Sequence, residues 1–245
     1  MHSEWKGRVV ERFDEQAISY GRHNDVQTRI AHKLASALPD LSRPNILEIG
    51  CGTGALTKHL LGRYPAAHFH ITDISPKMLE EAQRQVPSSN NIKWTVIDGE
   101  AFPADKTYDL IVSSMTFQWF EEPNQSIGAL KRLLSPAGKL FFSVPSPQSF
   151  PEWQSTLSAL NLPLGFSSQA HWDGIFQEDR LTLKYGNTIH FLKTMKETGA
   201  NIPHQSYNSI SAHELKKACT LCDQNHHGDI TWHILYGQMD NLTDL

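Results

Sequence analysis

The chain has 245 residues, of which 39% are hydrophobic and 20% are charged, so it can bury a sizeable core without disulfides or a structural metal. Its formal net charge of −4 argues against a nucleic-acid-binding protein, because such proteins usually carry a basic excess. The odd count of three cysteines favours a reducing compartment, the N-terminal stretch lacks a signal-peptide core, and no uncharged apolar run approaches the roughly 18 residues that span a bilayer, so we expect a soluble, cytoplasmic protein.

Apolar residues at four-residue spacing (Val26, Ile30, Leu34 and Leu38) predict an amphipathic helix over 24–38. After it, short apolar runs alternate with helical patterns. The predicted strands are 45–50, 68–75, 91–100, 108–115 and 139–144, and the predicted helices between them are 54–65, 75–86 and 123–138. This alternation predicts parallel strands joined by crossover helices, as in an open α/β sheet.

The stretch 144–151, VPSPQSFP, interrupts the alternation, and we interpret the irregular region after it as an inserted lid. The chain then returns to a strand at 179–185, to helices at 187–200 and 211–222, and to a last strand at 229–238. We predict an α/β fold with an open, mostly parallel, Rossmann-like seven-stranded sheet and helices on both faces. The chain is expected to form a single domain, 1–245, made of an N-terminal helical cap (1–40), a cofactor-binding core (44–145), the lid (146–180) and C-terminal strands and helices that complete the sheet (181–245).

Three alternating glycines, Gly50, Gly52 and Gly54, directly follow the first predicted strand. Glycine would weaken a regular element there, but it lets a ligand approach the backbone closely. In open α/β sheets, ligands bind beyond the carboxyl ends of the strands. The turn is therefore predicted to bind a nucleotide-type cofactor. Gly50, Gly52 and Ala55 also satisfy the loose dinucleotide pattern G-x-G-x-x-G/A, so the glycine spacing leaves the cofactor open.

Acidic residues at three successive strand ends separate the possible cofactors. Glu48 precedes the glycines, where a carboxylate would attract a cationic ligand and repel a pyrophosphate. Asp73 closes the second strand and can accept from both ribose hydroxyls, and Asp98 closes the third, where it can accept from an adenine amino group. An acidic pocket of this kind fits a phosphate-free, sulfonium-bearing nucleoside better than a diphosphate.

The combination E-x-G-x-G-x-G, an acid at the second strand and Asp-Gly at the third resembles the class I S-adenosylmethionine-dependent methyltransferases. The resemblance implies that the glycine loop lies under the methionine part of the cofactor, that Asp73 holds the ribose and that Asp98 contacts adenine. It implies no metal. The implied cofactor-binding residues are Glu48, Gly50, Gly52, Gly54, Asp73, Ile74, Met78, Asp98, Gly99 and Ser114.

Further stretches resemble the malonyl-acyl-carrier-protein O-methyltransferases of biotin synthesis. The N-terminal element F-x-x-A-x-x-Y-x-x-H-x-x-x-Q is matched, with its first gap one residue longer, and SSMTFQWF, SFPEW, FLKTMKETGA and ITWHILYG match later elements. The residues of the N-terminal element are Phe13, Ala17, Tyr20, His23 and Gln27. Two departures stand out: Ser114 replaces an expected asparagine, and 160–178 is short and diverged.

This narrower resemblance implies transfer of a methyl group from S-adenosylmethionine to the free carboxylate of a malonyl group on acyl carrier protein, an early step of biotin synthesis. The carboxylate is already ionised at neutral pH, so we expect alignment and water exclusion in place of a general base. Tyr20 and His23 are expected to fold over the cofactor, and Gln118 and Trp119 to line the cleft.

The partner of the substrate carboxylate stays open among Arg22, His171, Arg180 and Lys184. Because the carrier protein is acidic, a basic patch near the lid is expected. Its possible members are Lys184, Lys193 and Lys196.

Three alternative functions remain at this point: methylation of a small free carboxylic acid such as an aconitate, an NAD-dependent oxidoreductase, and a binding protein that kept the fold without catalysis. Glu48 argues against the oxidoreductase. The C-x-x-C-x-x-x-H-H run of Cys219, Cys222, His226 and His227 has a shorter gap than zinc sites usually show, and two half-buried thiols are the better interpretation.

Overall fold

The computed structural model describes residues 4–20, 25–164, 171–197 and 210–241. The helices are α1 (Glu4–Tyr20), α2 (Asp25–Ala37), α3 (Ala55–Arg63), α4 (Pro76–Gln85), α5 (Pro123–Lys131), α6 (Pro151–Ala159), α7 (Thr188–Glu197) and α8 (Ala212–His226). The strands are β1 (Asn45–Ile49), β2 (His68–Asp73), β3 (Ile92–Val96), β4 (Tyr108–Ser114), β5 (Leu134–Pro145), β6 (Ile175–Lys184) and β7 (Asp229–Asp240). Two single 3-10 turns cover Gly99–Ala101 and Phe117–Trp119.

The seven strands form one sheet in the order β3-β2-β1-β4-β5-β7-β6. Strand β1 pairs in parallel with β2 on one side and with β4 on the other, β2 pairs in parallel with β3, and β4 with β5. The predicted open, mostly parallel seven-stranded sheet is confirmed. The strand order reverses between β1 and β4, which makes the carboxyl ends of these strands the expected place for a ligand.

Burial on both faces explains why the central strands read as continuous apolar runs. Ile46, Leu47 and Ile49 of β1 are at most 1% exposed, and five of the six residues of β2 are buried. The helix that follows β2 begins as its sequence predicts, because Ser75 accepts a hydrogen bond from the Met78 N–H at 3.1 Å and Pro76 occupies the first helical position. The end of β2 therefore lies directly beside the start of α4.

The bounds of several elements differ from the sequence prediction, most of all at α5 and β5. Helix α5 ends at Lys131 instead of 138, and β5 already begins at Leu134, where a bulge shifts the register: Tyr108 pairs with Leu134 but Leu110 pairs with Lys139. At this turn the Ser135 hydroxyl donates a hydrogen bond to Asp109 Oδ1 at 2.9 Å. Strand β6 begins at residue 175 and α6 covers 151–159, so much of the stretch predicted as an irregular lid is regular structure.

Contacts divide the chain into two compact units, Met1–Val144 with Trp172–Gln177 and Tyr236–Leu245, and Pro145–His171 with Glu178–Leu235. The first unit contains β1 to β4 with their helices. In the second unit, Phe150 packs edge-to-face on Trp232 at a ring-centroid distance of 4.6 Å, and Glu152 accepts from the N–H of Thr231 at 3.0 Å and from its hydroxyl at 2.6 Å. The division into cap, core, lid and C-terminal part stays a prediction.

Candidate cofactor site

A cavity that is open to solvent lies in the first unit, at the carboxyl ends of β1 to β4. The structure brings nearly all of the predicted cofactor residues to its wall, and Gly54 alone of that set is missing. The predicted residues on the wall are Glu48, Gly50, Gly52, Asp73, Ile74, Met78, Asp98, Gly99 and Ser114.

The three glycines of the turn after β1 differ in what they allow. Gly50 and Gly52 have φ values of +70° and +53°, in the left-handed region that favours glycine. A Cβ on Gly50 would collide with the Thr116 side chain, whereas a Cβ on Gly52 would meet nothing within 4 Å. Gly54 precedes α3 with a φ of +86°, and its Cβ would lie at an ordinary contact distance of 3.4 Å from that of Ala82 in α4. Gly52 therefore leaves the cavity floor open, and the left-handed backbone at Gly54 is what favours glycine there.

Asp73, the last residue of β2, is held by two backbone N–H groups. Its Oδ2 accepts from Gly52 at 2.8 Å and its Oδ1 from Ser75 at 2.9 Å. Burial raises the pKa of Asp73 to about 6, against the lowering effect of these hydrogen bonds. Each oxygen keeps a second acceptor direction. A fixed carboxylate of this kind can accept from two neighbouring hydroxyls.

Glu48 is 1% exposed on β1, and its Oε2 accepts from the Thr57 hydroxyl at 2.7 Å. The pKa of Glu48 is raised to about 8, mainly by burial; the hydrogen bond from Thr57 opposes this shift, and the nearby Asp73 adds to it. The group therefore holds its proton at neutral pH when no cation is near. A cationic ligand would favour its ionised form.

Asp98 has a buried cationic partner that the sequence did not indicate. Lys6 of α1 is 6% exposed, its Nζ lies 2.7 Å from Asp98 Oδ2, and it also pairs with Glu100. Its ammonium stands 5.8 Å from the centroid of the Phe120 ring. The helical spacing of Lys6, Val9 and Phe13 (i, i+3 and i+7) indicates that they share one face of α1, although it does not indicate what that face contacts. All three line the cavity.

Of the four residues predicted to be catalytic, the structure places Trp119 on the cavity wall, with its ring edge-to-face on Phe13 at 5.6 Å. Gln118 is not on that wall; its amide nitrogen donates to the Met115 carbonyl at 2.7 Å. Tyr20 ends α1, and its side chain is outside the described part of the chain. His23 lies outside the described residues altogether.

The turn after β4 contributes wall residues that sequence reasoning missed. Met115 and Thr116 both line the cavity, and Met115 has a φ of +56°, a strained conformation for a residue with a side chain. The Thr116 hydroxyl donates to the Gly50 carbonyl at 3.2 Å, which joins this turn to the glycine turn. Nothing in the local sequence pattern predicted the strain.

The choice among the four candidate partners of the substrate carboxylate stays a prediction. Arg22 lies outside the described residues, His171 and Lys184 are exposed, and Arg180 donates to Gln148 at 3.3 Å. The expected basic patch also stays a prediction; Lys193 and Lys196 are exposed on α7.

Cys219 and Cys222 are buried thiols in α8, and no group of three or more possible metal ligands occurs among the described residues. Within the same ranges, no helix has both the length and the apolar character needed to cross a membrane.

The carboxylates on the cavity wall fit S-adenosylmethionine. Carboxylates at the ends of β1, β2 and β3 can face a cation, a ribose diol and an adenine amino group, and Gly52 leaves room against the backbone. A pyrophosphate would instead bring negative charge beside Glu48 and Asp73, whose ionised forms are already disfavoured by burial.

Comparison with known proteins agrees with this geometry. A family model described as a methyltransferase domain matches residues 46–138. A relative from Magnetococcus marinus, named malonyl-acyl-carrier-protein O-methyltransferase, is 32% identical over 247 residues, 94% of this chain and 91% of the relative. The chain belongs to the malonyl-acyl-carrier-protein O-methyltransferase family. Another member, from Ilyobacter polytropus, is 31% identical over 97% of this chain and 95% of its own.

Solved structures support the fold of this family member. The N-methyltransferase NodS from Bradyrhizobium japonicum, in complex with S-adenosylhomocysteine, superimposes with a TM-score of 0.53 at 15% identity, over 94% of this chain and 98% of that one. The [4+2]-cyclase SpnF superimposes with a TM-score of 0.52 at 15% identity, over 87% and 81%. Because the latter is named for a different reaction, the fold alone does not decide the chemistry.

Proposed function

We propose that the protein is a cytoplasmic enzyme that transfers a methyl group from S-adenosylmethionine to the free carboxylate of a malonyl group carried by acyl carrier protein, an early step of biotin synthesis. The observation that carries the proposal is the 32% identity to a relative of that name over 94% of the chain. The acid-lined cavity at the switch point of the sheet supplies the place for the methyl donor.

The cofactor supplies an electrophilic methyl group on a sulfonium centre, and the residues of the cavity hold and orient it. Asp73 fixes the ribose diol, because both of its oxygens are held in place by backbone N–H groups. Asp98, braced by Lys6, accepts from the adenine amino group. Glu48 offers a buried carboxyl to the positively charged part of the ligand.

The acceptor needs positioning more than activation. A malonyl carboxylate is ionised at neutral pH, and among the described residues that line the cavity there is no histidine. Orientation of the two reactants can lower the barrier by about 7–11 kcal/mol in favourable cases. Trp119, Tyr20 and His23 are proposed to position the acceptor and to exclude water.

Parallel incubations with methyl-labelled S-adenosylmethionine test the proposal. The acceptors are malonyl-acyl carrier protein, malonyl-coenzyme A, and the free diacids malonate and aconitate, and the Asp73→Ala variant serves as a control that should lose transfer to all of them. Label on malonyl-acyl carrier protein at the highest kcat/KM is expected. Transfer confined to the free acids would overturn the carrier-bound substrate, and no transfer to any acceptor would overturn the reaction.

A further inference from the structure

Gln27, which closes the N-terminal family element, contributes a buried polar atom to the wall of the cavity. It lies in the first turn of α2 and lines the cavity together with Ala31, one turn further along the same helix face. Its Oε1 is buried and has no hydrogen-bond partner among the residues that the structure describes. Buried polar atoms in folded proteins nearly always have a partner, so an acceptor of this kind on a cavity wall points to a donor on the ligand.

The position of Gln27 identifies which part of the cavity it serves. Helix α2 packs against α3 and β4, whereas Asp98 follows β3 at the other end of the strand order β3-β2-β1-β4. The acids occupy the strands between: Asp73 ends β2, and Glu48 lies on β1. Gln27 therefore faces the β1–β4 end, and the adenine acceptor lies at the β3 end.

The chemistry of the ligand selects the donor. S-adenosylmethionine has N–H groups only at the adenine amino group and at the α-ammonium of its methionine moiety. With Asp98 at the β3 end for adenine and Asp73 for the ribose, the α-ammonium is the donor that extends toward β1 and β4. We propose that Gln27 Oε1 accepts a hydrogen bond from this α-ammonium and so acts as a positioning residue for the cofactor; the inference rests on the proposed function, because it assumes that ligand.

An amide suits this position better than another carboxylate. Glu48 and Asp73 are already buried in the same cavity, and a third buried carboxylate there would disfavour the ionised forms of all three. Gln27 adds an acceptor without adding charge. Fixing the amino-acid end of the ligand also limits the directions in which the sulfur can point, which is what alignment with an acceptor carboxylate requires.

Calorimetric titration separates this role from packing and does not depend on turnover. The ligands are S-adenosylhomocysteine, an analogue that lacks the α-amino group but keeps the carboxylate, and an analogue that lacks the carboxylate but keeps the amine. The variants are Gln27→Leu and, as a matched control, Gln224→Leu at an exposed glutamine of α8. Gln27→Asn, which withdraws the amide by one methylene, serves if the leucine variant does not fold.

Gln27→Leu is expected to weaken S-adenosylhomocysteine and the amine-bearing analogue by the same factor, about tenfold to a hundredfold, the range for a hydrogen bond to a charged group. The analogue without the amine is expected to bind the variant and the wild type equally, and Gln224→Leu to change nothing. Equal losses with all three ligands would show that Gln27 only packs, and a loss confined to the carboxylate-bearing analogues would assign its amide N–H to the carboxylate; either result overturns the inference alone. A wild-type protein that binds none of the three would overturn the proposed function as well.

Discussion

Glu48→Gln is expected to change how the stability of the cofactor-free protein depends on pH. Glu48 is 1% exposed, and burial raises the pKa of its carboxyl from 4.5 to about 8. The unfolded chain releases this proton near pH 4.5, but the folded chain keeps it up to about pH 8, so the wild type loses stability as the pH rises through that window. At about 1.36 kcal/mol for each pH unit, the loss in the free energy of unfolding amounts to about 5 kcal/mol at most.

The assay is urea unfolding, followed by tryptophan fluorescence, at several pH values from about 5 to about 8 and without cofactor. Because the glutamine variant has no proton to release, its stability relative to wild type should rise steadily across this range. Glu80→Gln is the matched control, because that side chain is 58% exposed and pairs only at the surface with Arg84, an interaction that contributes little. If the free energies of unfolding of the wild type and Glu48→Gln differ by the same amount at every pH from 5 to 8, the reasoning that burial keeps Glu48 protonated is refuted.

Four further substitutions test the site. Asp73→Ala should weaken S-adenosylmethionine binding at least tenfold, because hydrogen bonds to a charged acceptor contribute about 1.5–3 kcal/mol each; unchanged affinity by calorimetry contradicts the ribose assignment. Tyr20→Phe should lower kcat with an unchanged Tm, and a wild-type rate removes its hydroxyl from the mechanism. Lys6→Met leaves two buried carboxylates without their cation, so chemical denaturation should show a loss of about 3–5 kcal/mol; a loss under about 1 kcal/mol argues against a buried pair. Gly52→Ala should cost about 1–2 kcal/mol through its positive φ and also weaken cofactor binding, whereas the control Gly62→Ala, in a helix with open space around it, should bind normally; equal binding by both variants would place Gly52 away from the ligand.

The sequence predicted the sheet and the acids at its edge because both follow from local patterns. An apolar run followed by glycines gives β1 and its turn, and strand ends placed Glu48, Asp73 and Asp98 along one edge of a parallel sheet. Ser75 and Pro76 marked the start of α4 through chemistry that acts within a single turn. None of these inferences needed to know which distant residues approach the site.

What the sequence did not reveal depends on contacts between distant parts of the chain. Lys6 and Glu100 are 94 positions apart, and an amphipathic helix pattern gives the face on which Lys6 lies but not the partner of that face. The bulge at the start of β5 arises from the register of Tyr108 opposite Leu134, which a single strand cannot specify.

The distribution of charge along the cavity is a physical argument for the ligand that it binds. Glu48 and Asp73, at β1 and β2, carry pKa values raised by burial, so they lower the stability of the cofactor-free protein above their ordinary pKa. A cation bound beside them restores this lost stability, because it favours the ionised carboxylates. At the β3 end, Asp98 and Glu100 share the ammonium of Lys6, so the carboxylates there already have a cationic partner and a neutral base can lie beside them. A ligand that is cationic at one end and neutral at the other matches this order, and a dinucleotide, with its negative charges in the middle, does not.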